Sequence, residues 1–142
     1  MTSIIIDLQL WSCVFMTGLI WTIQLVHYPS FHHIKIDKFS QFEGFHSNRI
    51  SWIVLPVMSV ELLTAVVLIF LLTESLILIG VNFLSVAAIW LITLHVSARI
   101  HTKLMSGYNE SLVNQLIFTN WARTFLWSAR SVFLIFFLKS FL

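Results

Sequence analysis

Four long apolar runs dominate the pattern of hydrophobic and polar positions along the chain. They cover approximately residues 4–26, 51–72, 76–97 and 119–138. Each run is close to the roughly 20 residues that an α-helix needs to cross a bilayer. The pattern therefore predicts an all-α, integral membrane four-helix bundle that forms one domain over residues 1–142.

The connections between the runs differ in kind. Pro29 follows the first run and predicts the end of that helix. The polar triplet at residues 73–75 predicts a tight hairpin between the second and third runs. The two longer connections, residues 31–50 and 105–118, are predicted to lie at the membrane interface.

Each longer connection contains a helix signal. In residues 31–50 an aromatic and histidine face has helical spacing, formed by Phe39, Phe42, Phe45 and His46. This face predicts a short interfacial amphipathic helix between spans 1 and 2, with its aromatic side in the acyl boundary. In residues 105–118 a helix is predicted to restart after Gly107, with Asn109 as its N-cap.

Composition supports a membrane class. Hydrophobic residues make up 58% of the chain and charged residues 10%, against about a quarter charged in soluble domains. The net charge of +2 is explained by basic residues at helix ends, so a nucleic-acid partner is excluded. The single cysteine, Cys13, excludes an intrachain disulfide.

The positions of the basic residues predict the orientation of the chain. The two longer connections and their flanks carry Lys35, Lys38, Arg49, Arg99, Lys103 and Arg123, whereas the opposite side carries Lys139. Positively charged connections stay in the cytoplasm. We therefore expect a cell-membrane protein with the longer connections inside and with both termini and the hairpin outside.

Two opposite charges are predicted to meet deep in the membrane. Glu61 and Arg130 both lie about ten residues inward from the cytoplasmic side, hence roughly 15 Å deep at 1.5 Å per residue. An unpaired charge there costs something like 3 kcal/mol, so each should find a partner. They form either a structural ion pair or a catalytic pair, in which Glu61 accepts a proton and Arg130 positions an anionic group.

The histidines and a polar stripe extend this candidate site. The stripe has spacings of three and four along the fourth run and consists of Asn120, Arg123, Trp127 and Arg130. All six histidines fall on or near the cytoplasmic side, where a polar cavity would open. The predicted cofactor-binding residues are His27, His46, His95 and Arg123, although His95 could instead bond a neighbouring helix.

A metal ion or haem is the cofactor class that these residues suggest. The candidate metal ligands are His27, His46, Glu61 and His95. Haem would take His95 and either His27 or His46 as its axial ligands.

Small, uncharacterised four-span bacterial membrane proteins resemble this chain in three segments. The segments are Gln24-x-x-His27-Tyr28-Pro29-x-Phe31, then Pro56 with Glu61, and then Asn120-Trp121-x-Arg123-Thr124-x-x-Trp127 with Arg130. The resemblance covers nearly the whole chain. It implies the four-span fold and a bacterial inner-membrane location, and it implies no known reaction.

A looser similarity is to the small helical membrane protoporphyrinogen oxidase. The shared features are the chain length and a first span with tryptophan and glycine that ends near a histidine. That family also has a lysine within a later span, whereas the third run here has none before Lys103.

These observations predict a site that opens to the cytoplasmic side and acts on a lipophilic molecule. If the protein is an enzyme, it is expected to be a membrane oxidoreductase. The alternatives are an accessory or structural subunit of a larger membrane complex and a small oligomeric transporter. The expected partners are the lipid bilayer, other membrane subunits or further copies of the chain.

Overall fold

The computed structural model describes residues 2–72 and 76–138, and in these ranges the protein is all-helical with no β-strand. The long helices are α1 (Thr2–His33), α2 (Ile36–Leu71), α3 (Leu76–Leu104) and α4 (Glu110–Phe133), which continues into a π-helical turn at Leu134–Leu138. The predicted hairpin at residues 73–75 and Lys139 lie outside the described residues.

Three of these helices, α1, α2 and α3, are long and apolar enough to cross a membrane. Their outward surfaces carry large exposed apolar side chains such as Trp52, Phe70 and Ile77. Such a surface matches acyl chains better than water. The chain therefore has the helices of a membrane protein.

The helices pack so that each contacts its neighbours along the chain, and α4 returns to contact α1. Apolar side chains fill the space between them, including Met16, Met58, Ile89 and Trp127. Polar side chains are also buried there, which is unusual for a soluble core but suits a protein whose outside faces lipid.

Neither predicted interfacial segment is a separate helix. Residues 36–50 belong to the 36-residue helix α2, and residues from Glu110 onward belong to α4. Gly44 and Pro56 lie inside α2 without ending it, because tertiary packing against α1 and α3 offsets their low helix propensity. The helices therefore extend beyond the spans predicted to begin at residues 51 and 119, and the span boundaries themselves stay predictions.

The N-terminus of α4 is as the sequence predicts. The Asn109 side chain accepts a hydrogen bond from the Leu112 backbone N–H at 3.0 Å and caps the helix. Gly107 has a φ of 140°, a conformation that side-chain-bearing residues rarely adopt. The connection from α3 can therefore turn sharply before α4 begins.

Two π-helical turns interrupt the long helices. In α1, the Tyr28 N–H donates to the Ile23 carbonyl five residues back. In α3, the Ala98 N–H does the same to Thr93. A π turn contains one residue more than an α turn, so it rotates everything after it by roughly 100° relative to a regular helix.

The π turn in α1 also explains why the predicted stop at Pro29 was wrong. A proline ring in a regular helix meets the carbonyl four residues before it. Here the wider turn at Ile23–His27 lies directly before Pro29. The helix therefore continues through the proline to His33.

Candidate functional site

The predicted contact between Glu61 and Arg130 is present. Arg130 Nη1 donates to Glu61 Oε1 at 2.9 Å. Trp127 Nε1 donates to the other carboxylate oxygen at 3.0 Å. Arg130 also donates through Nε and Nη2 to Asn82 Oδ1, at 3.4 Å each. Helices α2, α3 and α4 thus meet at these four residues, which we term the charge cluster.

The charge cluster is closed. Glu61 is 1% exposed and Arg130 is 3% exposed, and both oxygens of the carboxylate already accept hydrogen bonds. Neither residue lines the large cavity described below. The geometry therefore favours a structural ion pair, and a catalytic role for the pair stays a prediction.

A second polar assembly lies toward the other end of the helices and links all four of them. Glu43 Oε1 is 2.6 Å from His101 Nδ1, and it accepts a hydrogen bond from Ser47 at 2.7 Å. His101 Nε2 is 3.0 Å from the Tyr28 hydroxyl. Arg123 Nη2 donates to the same hydroxyl at 3.3 Å. We call Glu43, His101, Tyr28 and Arg123 the tyrosine chain.

Hydrogen bonds beyond Arg123 fix its position. Its Nη2 also donates to the Asn120 side-chain oxygen. Asn120 Nδ2 in turn donates to Gln24 Oε1 at 2.7 Å, and Gln24 Nε2 donates to the Ile117 carbonyl at 3.1 Å. Because every member of this series is held by the next, the guanidinium has little freedom to move.

His27 and His46 form a pair beside the tyrosine chain. His27 Nε2 lies 2.8 Å from His46 Nδ1, and the His46 and His101 rings are 5.4 Å apart between centroids. Phe31 packs edge-on against both rings of the pair. The structure thus brings together two of the predicted cofactor-binding residues, and their role stays a prediction.

A cavity of about 310 Å³ adjoins the tyrosine chain. Three members of the tyrosine chain line this cavity, namely Tyr28, His101 and Arg123. The rest of its wall is mainly apolar and includes Met16, Ile20, Val54, Leu55, Leu94 and Trp127. An apolar cavity with a few convergent polar groups is the usual form of a small-molecule site.

Arg123 has no acidic partner in residues 2–72 and 76–138. The ion pairs found there are Glu43 with His101 and Glu61 with Arg130. The hydrogen-bond acceptors of Arg123 are the neutral side chains of Tyr28, Asn120 and Thr93. Its Nε has no partner at all, although the residue is only 5% exposed. A buried positive charge is thus left without its counter-charge at the cavity wall.

His95 lies apart from the tyrosine chain and the histidine pair, and its predicted role in cofactor binding stays a prediction. It is exposed on α3, where its Nδ1 lies 3.5 Å from Arg99 Nη2. His95 lies within the π turn at Thr93–Ser97. Haem ligation by His95 together with His27 or His46 does not fit this placement.

The structure also separates the candidate metal ligands. Glu61 belongs to the charge cluster, while His27 and His46 lie beside the tyrosine chain. Within the described residues no three His, Cys, Asp or Glu side chains are arranged to hold a metal ion. The four candidate metal ligands are therefore not brought together at one site in these residues.

Three residues of the tyrosine chain were missed as site residues: Tyr28, Glu43 and His101. In a regular helix the side chains of His101 and the buried Ile89 would differ in direction by about 120° around the helix axis. The π turn between them reduces this angle to roughly 20°. Tyr28 is turned inward by the π turn of α1 in the same way. Only Glu43 had a clear signal, because it shares the spacing of four and three with Phe39 and His46.

Comparison of the chain with protein-family models, with curated proteins and with solved structures found no match.

Proposed function

We propose that this protein is a four-span membrane protein that binds a lipophilic anion in the cavity beside the tyrosine chain. The head group would contact Arg123, and the apolar part would lie against Met16, Ile20, Val54 and Leu94. The observation that carries this proposal is the buried guanidinium of Arg123, which has an unpartnered Nε and forms no ion pair with a carboxylate of residues 2–72 or 76–138.

The positive charge of Arg123 is costly to bury. A buried ion without a counter-charge loses several kcal/mol of solvation, of order 3 kcal/mol or more within a membrane. Arginine binds carboxylates and other oxyanions through a planar fork of donors. An anionic head group would supply the missing charge and an acceptor for Nε.

The cavity suits the remainder of such a ligand. Its volume of about 310 Å³ is at the lower end of the range for small-molecule sites. All four helices contribute residues to the cavity wall, so the hydrocarbon part of a bound ligand would lie between them. Lipophilic acids of moderate length match this combination of size, apolar wall and single cation.

The proposal includes α4 as the fourth span. Its polar residues Asn120, Arg123 and Arg130 are buried, whereas Phe118 and Phe125 on its other side are exposed. This distribution is the inverse of a water-soluble helix and suits a helix between protein and lipid.

The charge pattern of the connections supports a cytoplasmic position for the site end and an outside position for both termini. The resemblance to bacterial four-span proteins supports the inner membrane as the location. Thiol labelling of Ser106→Cys, in a Cys13→Ser background, from one side of the membrane at a time tests this orientation. Labelling from outside alone would contradict it.

The binding proposal predicts that detergent-purified protein binds dodecanoate more tightly than methyl dodecanoate. A charge-assisted hydrogen bond to a buried guanidinium is stronger than one to a neutral ester, so we expect roughly a tenfold ratio of dissociation constants. Equilibrium dialysis of both radiolabelled ligands measures this ratio.

The Arg123→Gln variant should bring the ratio close to one, while Arg123→Lys should keep the preference for the acid. Arg99→Gln is the matched control, because Arg99 is exposed on α3 and does not line the cavity. Equal binding of acid and ester by the unmodified protein, or an undiminished ratio in Arg123→Gln, would contradict the proposal.

A further inference from the structure

The tyrosine chain has the order of groups that activates a hydroxyl. A carboxylate can only accept hydrogen bonds, so Glu43 accepts from Ser47 and from the Nδ1–H of His101. In the neutral imidazole with its proton on Nδ1, Nε2 is an acceptor. The Tyr28 hydroxyl, 3.0 Å away, is then the donor to Nε2.

Arg123 acts on the same oxygen from another helix. Its Nη2 lies 3.3 Å from the Tyr28 hydroxyl and donates to it. A guanidinium in that position stabilises the phenolate that forms when the proton moves to His101. Glu43 stabilises the imidazolium that forms at the same time, as an acidic residue does in other carboxylate–histidine–hydroxyl arrangements.

The carboxylate of Glu43 forms the end of the tyrosine chain on α2. Glu43 is fully buried, and its second oxygen has no hydrogen-bond partner. The charged and titratable groups that face Tyr28 and Glu43 include His101 and Arg123 within the tyrosine chain and the pair of His27 and His46 beside it.

From this geometry we infer that Tyr28 is a proton-transfer residue, which removes a proton from the hydroxyl group of a lipophilic ligand in the cavity. This inference rests on the proposed function and specifies its ligand class. The ligand is a lipophile with an ionisable hydroxyl, such as a phenol or an enol, which binds neutral and is held as the anion.

The step is balanced in protons and charge. The Tyr28 O–H bond breaks and its proton passes to His101 Nε2, while the ligand O–H bond breaks and its proton passes to the Tyr28 oxygen. The products are a neutral Tyr28, a ligand oxyanion beside Arg123 and a His101 imidazolium beside the Glu43 carboxylate. No oxidant or reductant takes part.

The test uses an octyl-substituted nitrophenol, whose phenolate absorbs at a longer wavelength than its phenol. The measurement is made with the detergent-purified full chain at a pH at which the probe in protein-free micelles remains the phenol. Probe bound to the unmodified protein is expected to show the phenolate band. The amount bound is determined separately by equilibrium dialysis.

The Tyr28→Phe variant should bind the probe but lose the phenolate band, and His101→Gln should do the same. Tyr108→Phe is the matched control. Tyr108 is the second of the two tyrosines in the sequence, does not belong to the tyrosine chain, and contacts His32 outside the cavity. Dodecanoate is already ionised and needs no proton transfer, so Tyr28→Phe should still bind it, although the variant loses the contact between the hydroxyl and Arg123. Such binding would also show that the variant folds.

A phenolate band that persists in Tyr28→Phe would overturn the inference and leave the binding function standing. The same holds if the unmodified protein binds the probe only as the neutral phenol. Failure to bind dodecanoate and the probe alike would overturn both proposals.

Discussion

Glu61 and Arg130 are surrounded by groups that replace the water each would have had outside the membrane. Trp127 and Asn82 supply the contacts that remain once the two charges have paired. The opposite charges of Glu61 and Arg130 and their similar depth were visible in the sequence, as was the need of each for a partner. The pair could therefore be predicted. The role of Asn82 could not, because an isolated asparagine in an apolar run has no periodic signal.

Removal of one partner is expected to destabilise the protein strongly. Arg130→Gln leaves Glu61 as an uncompensated buried charge, so the free energy of unfolding should fall by about 3 kcal/mol or more. The measurement is unfolding by a denaturing detergent in mixed micelles, followed by circular dichroism.

The double variant Glu61→Gln with Arg130→Gln should be more stable than Arg130→Gln alone, because neither buried charge remains. Arg99→Gln serves as the control on the exposed side of α3. If Arg130→Gln unfolded at the same detergent fraction as Arg99→Gln, the ion pair would not contribute to stability as described.

At the scale of elements, the π turns decide which residues meet. The apolar runs predicted the existence of the helices, and Asn109 predicted where α4 begins. A regular period of 3.6 residues, however, places His101 and Tyr28 away from the interior. The single extra residue in each turn moves both into contact, and nothing in the residue types of Ile23–His27 or Thr93–Ser97 signals it.

We expect the protein to fold after the deletion of His95, which lies in the π turn of α3. The deletion would convert the turn to a regular helix and leave the later residues, including His101, facing the same way. Deletion of Leu84, which is exposed in the regular part of α3, should instead rotate one part of the helix by about 100° relative to the other.

Thermal unfolding followed by size-exclusion chromatography compares the two deletions. The protein without His95 should remain monodisperse and keep its preference for dodecanoate over the ester, while the protein without Leu84 should aggregate. Aggregation of both to the same extent would contradict the description of the π turn as a one-residue insertion.

At the scale of the whole molecule, the distribution of residues is reversed relative to a soluble protein. Large apolar side chains cover the outside, and the interior holds two polar assemblies, the charge cluster and the tyrosine chain. Composition alone predicted this class. It could not predict that the buried charged residues divide between two assemblies, because that depends on how four helices are rotated about their axes.

The two assemblies therefore have different roles, the charge cluster in stability and the tyrosine chain in ligand binding. In the charge cluster the carboxylate of Glu61 and the guanidinium of Arg130 are paired with each other, and the cluster fixes three helices against one another. The tyrosine chain leaves the Nε of Arg123 unpartnered beside an apolar cavity. The lipophilic anion is therefore assigned to the cavity and not to the charge cluster, where the strongest sequence signal lies.

The most direct test is an experimental structure of the protein with 12-bromododecanoate, located by the anomalous scattering of bromine. The account predicts the carboxylate beside Arg123 and the bromine inside the cavity, near apolar residues such as Val54 and Leu94. Bromine peaks confined to the outer, lipid-facing surface of the helices, with the cavity free of ligand, would contradict it.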